Sequence, residues 1–231
     1  MKNNKTAQAQ NVIDAIHSRQ SIRAFLPDTV SKKLVVDILS SATRAPSGTN
    51  MQPWKTRVFT GKSLTTLCSV VCDAFDEQPK GYPCEEPYYP ATWFEPYKSR
   101  RRKVGLDLYG LLNIVKSDTD GMHVQHRRNF KFFDAPVGML FTIHRDLATG
   151  SWLDYGMYLQ NIMLAARAHG LHTCPQAAWA DFHPIIREHL ALPENEVIVC
   201  GMALGYADWD AVENQLETER ASIENHVEFY P

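Results

Sequence analysis

Apolar and polar residues alternate along the chain with periods that change several times, and those changes mark its elements. In NVIDAIHSR, Val12, Ala15, Ile16 and Arg19 fall at helical spacing, predicting an amphipathic helix that starts at Asn11. A second helix starts after Ser31, a suitable N-cap, with Leu34, Ile38, Leu39 and Ala42 facing inward. WKTRVF, 54–59, reads as a strand; GKSLTTLCSVVCDAF, 61–75, reads as a helix. Further helices are predicted over 97–116, interrupted near Gly105 or Gly110, and over 122–132. APVGMLFTIHR, 135–145, has the apolar run of a buried strand. The longest helix spans 152–170, apolar around much of its circumference, with Gly170 suited to its C-terminal cap. A helix over 183–191 then leads into EVIVCGMALGYAD, 196–208, which reads as a central strand. Gly201 and Gly205 within it fit close backbone packing. Strands separated by one or two helices indicate a single α+β or α/β domain over 1–231.

Three stretches break this rhythm. From 79 to 96, five prolines are interspersed with Tyr82, Tyr88, Tyr89, Trp93 and Phe94, which disfavours helix or central strand and suits a lid or interface arm. The tail TERASIENHVEFYP has few core residues and is expected to pack on another surface. RAPSGTNMQPW, 44–54, is longer than a plain helix-to-strand connection, commonly about four to six residues.

Composition narrows the classes. A formal net charge of -2 over 231 residues argues against nucleic acid as the main partner, and SRRRK, 99–103, reads as a solvated helix face. No apolar stretch approaches the roughly 20 residues of a membrane span. The start, MKNNKTAQAQN, lacks a signal peptide's apolar segment, so a cytoplasmic protein is expected. Of the five cysteines, Cys68 and Cys72 lie one helical turn apart on an apolar stripe and read as core. His123/His126 and His169/His172 lack a cysteine cluster or HExxH context, and no metal site is expected.

GxSxG, P-loop and GxGxxG motifs are absent. What stands out is SRQSIRAF, 18–25. In an extended segment Arg19, Ser21 and Arg23 project to one side, and two guanidiniums with a hydroxyl suit a phosphate monoester. The 44–54 loop is read as lying beside it. Gly48 would permit close approach to a flat ligand, while Ser47, Asn50 and Gln52 supply donors and acceptors for a heterocycle edge. Together they suggest a mononucleotide-like cofactor.

RQSIRAF followed by RAPSGTNMQPW resembles the FMN-dependent nitroreductase family, with its RRSxR segment and PSxxNxQPW loop. RRNFKFFDAPVGMLFTI, SWLDYGMYLQNIMLAARAHGLHTCPQ and IVCGMALGYAD extend the resemblance across roughly 11–230. It implies an α+β sandwich, a mostly antiparallel central sheet flanked by helices, in an intertwined homodimer with sites at the subunit interface. It assigns Arg19, Ser21 and Arg23 to the flavin phosphate and ribityl chain. Gln20 replaces the usual second arginine at a mainly backbone contact. Pro46, Ser47, Gly48 and Asn50 are assigned to the flavin of the opposite subunit. Pro175, Gln176 and Ala177 are assigned to the ring edge near N5, and Arg220 to the phosphate. The 79–132 excursion falls where the family is most variable and its substrate lid lies.

The activity implied is two-electron, ping-pong hydride transfer from NADH or NADPH through FMN to a nitroaromatic, giving nitroso and hydroxylamine products. The flavin carries the chemistry, and no side chain needs to be nucleophile or base. Aromatic residues over 82–97 favour a planar apolar substrate. Quinone reduction and reductive dehalogenation use the same scaffold; Glu95, Tyr97 and Lys98 resemble the zwitterion-reading set of dehalogenating relatives. A non-catalytic flavin-binding protein is the alternative of a different class.

Overall fold

A computed structural model describes residues 6–231. The first five residues, part of the segment read as lacking a signal peptide, lie outside the described residues. Helix α1 (Val12–Ser18) is capped by the Asn11 side chain, which accepts from Asp14 N, and α2 (Lys32–Ala42) by Ser31, which accepts from Leu34 N. Strand β1 (Lys55–Thr60) runs directly into α3 (Gly61–Glu77). After the proline-aromatic arm come α4 (Tyr97–Leu111), α5 (Thr119–Arg127), β2 (Val137–His144) and α6 (Thr149–Ala168). Strand β3 (His172–Gln176), α7 (His183–Leu190) and β4 (Glu196–Gly205) complete the framework.

The four strands form one antiparallel sheet in the order β1-β2-β4-β3. Side chains alternate along β2, so Val137, Met139, Phe141 and Ile143 face α2 and α6, while Leu140 faces α3 and the aromatic cluster around Phe130 and Trp179. Both faces are therefore covered, which explains why β4 is buried along its whole length. Burial of each large aliphatic or aromatic side chain contributes roughly 1.5–3 kcal/mol. Gly201 permits close packing within the sheet: a Cβ there would lie 2.3 Å from Trp179 Cδ1.

The α+β sandwich and the central position of β4 agree with the sequence reading. Four details differ. α1 buries only Ala15 and Ser18, and Val12, Ile13 and Ile16 are exposed. α4 runs unbroken through Gly105 and Gly110 and ends at Leu111, short of the predicted Lys116. α5 stops at Arg127, and the predicted helix continues instead as a 3-10 stretch over 128–134, with Phe132 and Phe133 at φ 49° and 54°. The strand β3 has no counterpart in the sequence-derived elements, since Pro175 sits in it; as the sheet's edge strand it tolerates the missing N–H. The tail expected to pack on another surface lies exposed on this chain beyond Glu217, with a short 3-10 turn over Ile223–Asn225.

Among the described residues, no helix is long and apolar enough to cross a membrane, and no His, Cys, Asp and Glu group is placed to hold a metal.

Candidate cofactor site

Arg19 terminates α1 in extended backbone, φ -69° and ψ 126°. From there the chain runs alongside β3. Ser21 bridges Thr173 in parallel, Ile22 N donates to Thr173 O at 3.1 Å, and Phe25 bridges Ala207. Asn214, buried under the segment, fixes it from below: Oδ1 accepts from Arg23 N at 2.7 Å, and Nδ2 donates to Ala24 O at 2.8 Å. Its carbonyl accepts from Gln20 Nε2 at 2.9 Å. Gln20 thus holds the scaffold, while Arg19, Ser21 and Arg23 share the other side, against Cys174. Sequence reasoning missed Asn214, whose partners lie some 190 residues away.

Among the described residues the three cations of this end, Arg19, Arg23 and Arg220, have no anionic counterpart. Burial, then the like charge of Arg220, holds the Arg19 guanidinium below its ordinary range. Arg23 reaches only the Ser21 carbonyl, at 3.4 Å. Arg220 turns onto Thr218 and the Glu219 carbonyl. Among the described residues none of the three forms an ion pair. Burial pushes the Cys174 thiol up to about 11, even with Arg23, Ser21 and Arg19 working against it. The thiol is therefore no substitute anion.

Farther along β3 lie the other expected positions. Gln176 Nε2 donates to Asn129 O at 2.6 Å, an oxygen shared with Trp179 Nε1 at 3.1 Å. Its Oε1 is buried with no hydrogen-bond donor among the described residues, a condition that costs about 1–3 kcal/mol. Ala177 opens a 3-10 turn, 177–182, which with Cys84, Tyr88 and Tyr89 of the arm encloses a cavity of about 420 Å³. From Thr173 to Ala177 the strand covers about 13 Å. A cationic end, a buried acceptor and an aromatic cavity thus succeed one another along one strand.

The arm is fastened over this cavity by Glu85, which pairs with Arg145 at 2.6 Å and Arg187 at 3.1 Å. Tyr88 and Tyr89 pack edge to face, and Arg101 sits 4.9 Å above the Trp93 ring. Glu95 accepts from Ser99 N, and Tyr97 packs on Phe94, so both are engaged within the arm.

The 44–54 loop is not beside the guanidiniums. Gly48 N donates to Asp154 Oδ2 at 3.0 Å near the start of α6, and Ser47 Oγ accepts from Gln52 N at 3.0 Å. Thr49, Asn50 and Gln52 hold φ values of 48°, 61° and 50°, unusual for residues with a side chain and maintained here by those bonds. The cluster lies at the other end of the same helix, where Arg167 Nε donates to Ser18 Oγ at 3.1 Å. Asp154 and Arg167 are about 20 Å apart along α6. Pro46, Ser47, Gly48 and Asn50 therefore flank the β1 edge of the sheet, whereas Arg19, Arg23, Pro175, Gln176 and Ala177 flank the β3 edge.

The nitroreductase family model matches residues 16–206. The chain belongs to the nitroreductase family. The resemblance read from the two signature segments is thus borne out. This nitroreductase-family chain is 41% identical over 216 residues to a nitrobenzene nitroreductase of Ectopseudomonas oleovorans, covering 94% of this chain and 95% of the relative. It is also 41% identical to a 4-nitrobenzoate reductase of Pseudomonas putida, covering 93% of each. Its fold superposes at TM-score 0.92 on NfnB from Sphigopyxis sp. strain HMH, described as an FMN and NADPH-dependent nitroreductase, with 33% identity over 96% of this chain and 99% of that one.

Proposed function

We propose that the chain is an FMN-dependent NAD(P)H nitroreductase that reduces nitroaromatic compounds as a homodimer. The observation that carries this reading is the trio of guanidiniums, Arg19, Arg23 and Arg220, without an anion among the described residues, beside the strand that carries Gln176, whose buried Oε1 has no donor among those residues. A phosphate monoester supplies the missing anion, and an imide N–H of a flat heterocycle supplies a missing donor. The donor set therefore fits flavin mononucleotide. Arg19, Ser21, Arg23 and Arg220 would hold its phosphate and ribityl chain, with Pro175, Gln176 and Ala177 beside its ring.

Bound flavin supplies hydride acceptance from the nicotinamide and hydride delivery to the acceptor. The chain's own contribution is orientation and exclusion of water. Asn214 aligns the guanidinium segment, Asn129 fixes Gln176, and the Glu85-anchored arm covers the cavity in which a planar substrate would lie. Tyr88 and Tyr89 offer that substrate aromatic faces.

The homodimer is supported by three features of the single chain. The loop bearing Pro46, Ser47, Gly48 and Asn50 lies at the opposite sheet edge from the guanidiniums, so it would serve the cofactor of a second copy. Apolar residues also lie uncovered on α1 (Val12, 67% exposed) and α6 (Leu153, 69% exposed). The exposed tail, with Phe229 and Tyr230, is a further segment for that second copy to cover. The 79–132 excursion acts as lid within a single 1–231 domain, and dependence on NAD(P)H accords with a cytoplasmic location.

The test is anaerobic. NADH or NADPH should bleach the flavin absorbance of the purified protein, and nitrobenzene should restore it with formation of the hydroxylamine. Bleaching that nitrobenzene leaves unchanged would overturn the assigned acceptor class; no bleaching would overturn the oxidoreductase reading.

A further inference from the structure

We propose that Asp181 is the acid that protonates the departing nitro oxygen in the cavity beneath the arm. The inference rests on the nitroreductase reading above and adds a catalytic side chain to a reaction otherwise assigned to the cofactor alone.

Position is the first argument. Asp181 lies in the turn that begins at Ala177, and its side chain lines the same cavity as Ala177, Ala178 and Tyr88. The arm is locked to it at close range. Tyr82 N donates to the Asp181 carbonyl at 2.8 Å, and Gly81, at φ +66°, packs so tightly that a Cβ there would lie 2.9 Å from Asp181 Cβ. The carboxylate itself has one side-chain partner, the Cys84 thiol, which donates to Oδ1 at 3.6 Å. Among the described residues it forms no ion pair. A half-buried carboxyl with no cation and few donors among the described residues, facing a cavity, is a candidate proton donor.

Charge is the second. The titratable and charged groups around it are Cys84, Glu85, Glu86, Tyr88 and Tyr89 of the arm, Arg101 of α4, His126 of α5 and His183 of α7; burial raises the Tyr88 phenol, which leaves it a far weaker acid than a carboxyl. Glu85 is consumed by Arg145 and Arg187, with His183 Nδ1 3.5 Å away, and Arg101 by the Trp93 face. Burial holds His126 below its ordinary range, so near neutrality it is an uncharged neighbour. Burial likewise raises Asp181 above the ordinary carboxylate range, with Cys84, His126 and His183 offsetting only part of that rise. Burial, then Asp181 itself, raises Cys84, which makes the thiol a weaker acid than its neighbour.

The chemistry supplies the need. Reduction of a nitro group to nitroso consumes one hydride, derived from the nicotinamide, and one proton. One N–O bond breaks, nitrogen is reduced by two electrons, and the severed oxygen leaves as water carrying the hydride's hydrogen and the added proton. Asp181 gives that proton and is reprotonated from solvent at the cavity mouth.

The test uses the flavin-loaded enzyme and two acceptors, nitrobenzene and ferricyanide, because ferricyanide takes electrons without a proton. Asp181→Asn should lower the ratio of kcat on nitrobenzene to kcat on ferricyanide by about 100-fold, as loss of a general acid does. In the wild type, kcat on nitrobenzene should fall as pH rises past the raised Asp181 range, with no matching fall for ferricyanide. A second readout needs no turnover: the pH midpoint for alkylation of Cys84 by iodoacetamide should drop in Asp181→Asn. An unchanged acceptor ratio, or equal losses with both acceptors, would overturn the proposal, as would an unmoved Cys84 midpoint. A wild type that reduces ferricyanide but not nitrobenzene would instead overturn the assigned acceptor.

Discussion

Asp154 Oδ2 accepts a hydrogen bond from Gly48 N at 3.0 Å and thereby ties the 44–54 loop to α6. The carboxylate is buried, and the loop it holds carries three non-glycine residues at positive φ. Removing the acceptor leaves those conformations without their anchor. Asp154→Leu should weaken flavin binding about 10-fold, equivalent to about 1.4 kcal/mol, and accelerate amide exchange over 47–52. Asp154→Asn keeps an acceptor oxygen and should stay near wild type. Flavin fluorescence titration and hydrogen exchange measure both effects.

The proximity of Arg19 and Arg220 predicts a response to anions in the flavin-free protein. Two like charges without a counter-anion repel, and a bound dianion relieves that repulsion. Inorganic phosphate at about 100 times its Kd should stabilise the flavin-free protein by about 2.7 kcal/mol, raising Tm by roughly 5–10 °C. Arg19→Ala should abolish most of that rise while leaving the phosphate-free Tm equal or slightly higher. Thermal unfolding at constant ionic strength checks it.

Glu196 predicts an acid limb of stability. Its carboxylate accepts from Lys55 Nζ and Arg57 NH2, each at 2.8 Å, and from Thr142 Oγ1 at 2.7 Å. Burial alone would push this carboxyl up, but those three bonds outweigh it and hold it at about 2, against an ordinary 4.5. A depressed carboxyl contributes stability that is complete above the unfolded value and is lost as pH falls toward the folded one. The contribution, about 3 kcal/mol, should therefore fade between roughly pH 4.5 and 2. Urea unfolding across that window should show the loss, and Glu196→Gln should flatten it while lowering stability at pH 7.

The uncovered faces of α1 and α6 predict association. Val12→Lys combined with Ile16→Asp should leave the isolated chain's core untouched, because neither side chain is buried in it. The double variant should sediment as a monomer where the wild type sediments as a dimer, and should lose flavin with the partner's loop.

How much of this the sequence showed depended on the range of the interactions involved. Arg19, Ser21 and Arg23 were legible because extended backbone alone sends alternate side chains to one side. The apolar run of β4 was legible because a strand buried on both faces leaves no alternation to misread. The apolar stripe of α1 was legible, but its spacing does not tell whether this chain or another covers it. Strand β3 was hidden by Pro175, whose tolerance depends on an edge position that only the assembled sheet defines. Asn214, Asp154 and Asp181 were illegible for the same reason: each acts on residues distant in sequence, and no local pattern announces the contact.

The central claim is that paired guanidiniums after α1 grip the phosphate of a flavin that a second copy of the chain helps enclose. It is tested most directly by the flavin content per chain of size-resolved material, wild type beside Arg19→Ala/Arg23→Ala. The account predicts about one flavin per chain in a wild-type dimer and little in a double variant that remains folded. A monomeric wild type, or a double variant that retains its full flavin, would contradict it.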